Sequence, residues 1–142
     1  MLAPGTQEKI RLRTLKGKKG YKITKFQLIS NLPGSTAYEY VAKITKVEEP
    51  SIVADVNFTD SKLMAVVYLK GSFQSTQAPT TERIIFDNEI TNQNMFINIS
   101  DAAAGSTACN YYIELEVVEL SDIQATELTL RNIRQVVSVG ST

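Results

Sequence analysis

The chain predicts an all-β fold, an antiparallel β-sandwich, jelly-roll-like, of about eight strands with one C-terminal helix. Three observations carry that expectation. Apolar residues recur with a period of two through most of the chain, turn-forming residues separate the runs, and a helical period begins only after residue 120. Strands that follow one another without intervening helices exclude a parallel α/β design and favour a sandwich. The length of 142 residues and the 43% hydrophobic content suit a single domain spanning residues 1–142, with residues 1–8 as a flexible N-terminal arm.

The elements follow in order. Residues 9 to 15, KIRLRTL, alternate, placing Ile10 and Leu12 on one face and Lys9, Arg11 and Arg13 on the other, as in a half-buried strand with a basic outer side. Lys16 to Gly20, KGKKG, has glycines and no apolar residue and reads as a hairpin loop presenting Lys16, Lys18 and Lys19. A second strand is expected over about residues 21–30, ending at the Pro33-Gly34 turn, and a third over about 38–48, stopping before Pro50. Residues 52–58, IVADVNF, and 63–69, LMAVVYL, flank a short polar turn. The latter is apolar at both parities, so beyond its core face Met64, Val66 and Tyr68 need a helix, a loop or another subunit over them.

Residues 71–81, rich in Gly, Ser, Thr, Gln and Pro, read as an exposed loop. Strands are expected at about 83–87 and 94–99, the second with Met95, Ile97 and Ile99 inward and Asn98 and Ser100 outward. A loop at 101–107 precedes a strand over about 110–119, where Tyr111, Ile113, Leu115 and Val117 alternate with Tyr112, Glu114 and Glu116. Ser121-x-x-Gln124 then has capping-box spacing. Ile123, Leu130, Ile133 and Val137 form one apolar stripe along a helix spanning 122–137, the expected cover for the two-sided strand.

Zero net charge conceals a split: residues 1–25 hold +7 and the remainder −7. A basic edge on an acidic body suits docking on an acidic surface or on another copy of the chain. The absence of histidine removes Ser-His-Asp and Cys-His chemistry and the commonest metal ligand. Cys109 cannot form an intrachain disulfide and has no adjacent cation to activate its thiol, so a small buried residue is expected there. No secretory signal pattern opens the chain and no run approaches the length of a membrane span, so synthesis and folding in cytoplasm are expected, with no membrane partner.

Four local patterns invite a functional reading. Asp55-Val-Asn57-Phe-Thr59-Asp60 spaces oxygens like a calcium loop, but the required Gly and terminal Glu are Asp60 and Val66, so a strand and its turn are expected instead. Asp87 and Glu89 pair two carboxylates with no third catalytic group nearby, which points to a turn or interface role. Asn57-Phe-Thr59 and Asn98-Ile-Ser100 match the glycosylation pattern, which is without consequence in a chain lacking a secretory signal. The KGKKG loop is basic, yet the chain has no Trp, only Tyr21 neighbours the loop, and the pI is about 6.3, so nucleic acid is not the expected partner. No catalytic, cofactor-binding or metal residues are assigned.

Phe86-Asp-Asn-Glu-Ile90, Asn92-Gln93, the Ile97 strand, Asp101, Cys109-Asn-Tyr-Tyr-Ile-Glu-Leu-Glu116 and Thr129-Leu-Arg-Asn-Ile-Arg134 together resemble a group of small virion structural proteins of marine tailed phages. Tyr21-Lys-Ile-Thr-Lys-Phe-Gln27 and the Pro33-Gly34 turn are similar as well. The resemblance implies a β-sandwich built into the virion, without enzymatic activity, and carries over no active residues. The expected role is a capsid cement or decoration protein. It would dock on the major capsid protein or other virion proteins through Lys9, Arg11, Arg13, Lys16, Lys18 and Lys19, and self-associate, as a trimer ahead of a dimer or pentamer, through Met64, Val66 and Tyr68. The alternative is a tail- or fibre-associated sandwich binding host glycan, with Tyr38, Tyr40 and Tyr112 as stacking platforms in place of Trp.

Overall fold

The computed structural model describes residues 1–14, 17–33, 37–71, 80–86 and 88–140. Among them lie seven strands and a helix: β1 (Thr6–Ile10), β2 (Lys19–Ser30), β3 (Tyr38–Thr45), β4 (Leu63–Gly71), β5 (Thr80–Ile85), β6 (Met95–Asp101), β7 (Cys109–Glu119) and α1 (Asp122–Gly140). A five-stranded sheet, ordered β1-β6-β3-β4-β5, faces a two-stranded one, β2-β7, and every pairing is antiparallel. The fold is the all-β, sandwich-like class that the alternation predicts.

The core lies between the sheets. Tyr40, Ala42 and Ile44 of β3 stand opposite Leu69, Val67 and Ala65 of β4, and Ile97 and Ile99 of β6 continue the same face. Against it pack Ile23, Phe26 and Leu28 of β2, with Ile113 and Leu115 of β7. Ile23 and Phe26 are three residues apart, a spacing that would send them to opposite faces of a regular strand. A bulge between Ile23 and Lys25 restores them to one face, and the Thr24 hydroxyl donates to the Glu114 carbonyl there.

Several expectations are corrected. β1 ends at Ile10 and pairs with β6, while β2 pairs with β7, so the basic segment joins two sheets and is not the tip of a hairpin. Gly17 adopts φ +80° there, and its carbonyl accepts from the Asn92 side chain. The N-terminal arm is built into the fold: Leu2 is buried, exchanges backbone hydrogen bonds with Cys109, and precedes β1. Val117, near the end of β7 and paired with Tyr21, is half exposed and not turned into the core as expected.

Residues 52–58 form no strand, because both ladder edges of β4 are taken by β3 and β5. The connection 46–62 instead crosses the outer face of the large sheet. Thr45 donates to the Val47 carbonyl, Gln7 and Glu49 exchange two hydrogen bonds, and Lys43 donates to the Asp55 carbonyl at 2.9 Å. Asn98, which shares that outer face with Gln7 and Lys43, is fully buried, as is most of Ser100.

Helix α1 starts at the capping box that its sequence predicts: the Ser121 amide donates to Gln124 Oε1 at 3.0 Å and the Gln124 amide to Ser121 Oγ at 3.2 Å. Its orientation reverses the expectation. It is held through polar side chains: Asn92 Nδ2 donates to the Ala125 carbonyl and Thr129 Oγ1, Asn132 Nδ2 to the Lys46 carbonyl, and Gln135 Nε2 to the Ser61 carbonyl. Ala125 and Gln135 are buried in this seam, and the apolar stripe points away from it.

Candidate docking surfaces

The outward stripe is the most unusual surface of the molecule. Ile123 is 80% exposed, Leu130 51%, Ile133 53% and Val137 64%, on a helix whose opposite side is already packed. Single exposed apolar side chains are ordinary, but a row of them along about four turns is what a partner buries. Met64 and Val66, assigned from sequence to a subunit interface, are only 1% and 6% exposed. The chain covers them itself, which removes the ground on which they and a trimer were proposed. Tyr68 is half-buried and its hydroxyl donates to Glu39 at 2.9 Å, which raises its pKa.

The basic segment is divided by the fold. Lys16 lies outside the described residues. Lys18 pairs with Asp122 at 3.5 Å, Lys19 with Glu119 at 3.9 Å and Lys22 with Glu116 at 3.4 Å, so the acidic strand β7 and the start of α1 answer part of the charge split within the chain. Lys9 lies over the Phe96 ring, 6.0 Å from its centroid. Lys9, Arg11 and Arg13, close together in the chain, are exposed and in none of these ion pairs, as is Lys25, so this part of the basic segment can meet an external acidic surface.

A groove of about 680 Å³ runs between residues 46–50, the start of β6 and the second half of α1. Its residues come from four separate segments, so no sequence pattern announces it. Several of its polar groups are engaged within the fold: Asn94 Oδ1 accepts from the Leu12 amide at 2.9 Å and Asn132 donates to the Lys46 carbonyl, while the Lys9 ammonium lies over the Phe96 ring. Phe96 is the aromatic ring that lines the groove, and Lys9 covers it in place of a sugar. Tyr38 and Tyr40 provide no stacking platform either, being buried and stacked on each other with centroids 5.0 Å apart, while Tyr112 is exposed with its hydroxyl on Glu114.

The remaining sequence candidates have structural explanations. Asn57 Oδ1 accepts from the Thr59 amide and hydroxyl, and Asp60 Oδ1 from the Lys62 amide, so the calcium-like oxygens close a turn. Glu89 forms an ion pair with the buried Lys46, and its former companion Asp87 lies outside the described residues. Asn98 is inaccessible to glycosylation in the folded chain. Burial pushes the Cys109 thiol up to about 11, opposite to what a nucleophile needs. Among the described residues, no cluster of three or more His, Cys, Asp or Glu side chains is placed to hold a metal, and no helix is long and apolar enough to cross a membrane. No family model matches the chain, and no curated protein or solved structure matches it.

Proposed function

We propose that this chain is a non-enzymatic structural protein that acts by docking, a capsid-associated cement or decoration component of a tailed phage, as its sequence resemblance implies. The observation that carries the docking reading is the outward apolar stripe of α1, an exposed surface whose removal from water upon assembly would be favourable. The unpaired cations Lys9, Arg11 and Arg13 support it, since exposed charges steer a partner of opposite sign and set its register. Such a protein adds contact area across joints of the shell and so raises the work of opening them.

Mass spectrometry of purified particles tests the assignment. The chain is expected at a fixed ratio to the major shell protein, and its absence from particles would refute the reading. Exchanging Lys9, Arg11 and Arg13 for Glu should weaken attachment while leaving the melting temperature unchanged, and added salt should weaken wild-type attachment in the same direction.

A further inference from the structure

We infer that the exposed face of α1 is the seam of a two-fold homodimer, in which it packs antiparallel against α1 of a second copy. The inference deepens the docking reading above and rests on it. Its first ground is spacing. Ile123, Thr126, Leu130, Ile133 and Val137 are separated by 3, 4, 3 and 4 residues, and each is exposed. A seam that repeats every seven residues is a helix–helix pattern, because it stays in line only along a neighbouring helix that coils with it. A flat sheet or an irregular surface imposes no such repeat.

Charge selects the occupant and its direction. Glu127 and Arg134 flank the stripe on the same side, seven residues apart, and both are exposed. Reversing one helix against the other brings like flanks together, so Glu127 of each copy meets Arg134 of its mate, once on either side of the axis. In that register Leu130 lies beside the second copy's Ile133 and Thr126 beside its Val137. A parallel pair would place Asp122 near the second copy's Glu127, a like-charge contact. An isologous pair of this kind closes on itself and leaves the remaining surface free for other contacts. Self-complementarity of this kind is a property of a second copy of the chain.

Sedimentation equilibrium of the full chain at micromolar concentration tests the inference. The wild type should run at twice its 15.7 kDa. Leu130→Glu, at an exposed position, should run at the monomer mass while keeping the wild-type circular-dichroism spectrum, and its melting temperature should no longer rise with protein concentration. Glu127→Arg should weaken the dimer by placing two arginines together, and adding Arg134→Glu should restore it. A wild-type monomer, a trimer, a dimer indifferent to Leu130→Glu, or a double charge swap that fails to restore what the single swap removed would each overturn the proposal. A dimer formed by a chain absent from particles would refute the capsid assignment and leave this seam standing. A monomer present in particles would do the reverse.

Discussion

Asn92 is the polar peg on which α1 hangs, and replacing it by Ala should loosen the helix before the sheets. Its side chain is almost completely buried and its amide donates to the Gly17 carbonyl at 3.0 Å, the Ala125 carbonyl at 3.1 Å and Thr129 Oγ1 at 3.0 Å. Two N–H groups serving three acceptors amount to two full bonds, each worth about 0.5 to 1.5 kcal/mol net. Removing them also leaves the Gly17 carbonyl without this donor, an added cost of about 1 to 2 kcal/mol. The expected loss is therefore about 2 to 5 kcal/mol by denaturant unfolding. Native-state hydrogen exchange should show α1 amides losing protection while β3, β4 and β6 keep theirs at low denaturant. A loss below about 1 kcal/mol, or α1 protection no different from wild type, would show that the polar seam does not hold the helix.

Three further outcomes follow from the packing. Leu115→Ala, which opens the core side of β7, should cost about 2 to 3 kcal/mol, whereas Glu116→Ala, which gives up only a partly exposed ion pair with Lys22, should cost less than about 1 kcal/mol by the same denaturation assay. Glu89→Gln should cost about 2 to 4 kcal/mol by leaving the buried Lys46 ammonium without its counter-charge, and much of that loss should return in the Lys46→Met, Glu89→Gln double variant. Burial raises the Cys109 thiol from 9.0 to about 11, so the unfolded chain loses its proton first and stability falls as pH rises through that window. Unfolding free energies measured between pH 8 and 11 should therefore decline less steeply in Cys109→Ala than in wild type, by up to about 2 to 3 kcal/mol at the alkaline end.

Local patterns were readable where one face of an element decides its fate. β7 alternates so regularly because it is covered on one side only, and the capping box works within four residues of chain. What depended on distant partners was not readable. Residues 52–58 carry a strand's composition, yet β4, their neighbour across the turn, is paired on both sides by β3 and β5, and they end up crossing the outer face of the large sheet. The basic segment reads as a hairpin because Gly17 and Gly20 permit one, but the pairing choices of β1 and β2 lie about 90 residues away in β6 and β7. The α1 stripe was visible as a stripe; the assumption that an apolar face turns inward placed it on the wrong side. Polar anchors at Asn92, Asn132 and Gln135 outrank it, and that conflict between local pattern and chain packing is itself the clue to a docking surface.

Cryo-electron microscopy of the purified particle tests the central claim most directly. The account predicts copies of this chain on the shell at fixed positions, joined in two-fold pairs, with Ile123, Leu130, Ile133 and Val137 buried between antiparallel helices and Arg11 and Arg13 turned toward the shell. Particles that lack the chain, or carry it with that stripe facing solvent, would contradict it.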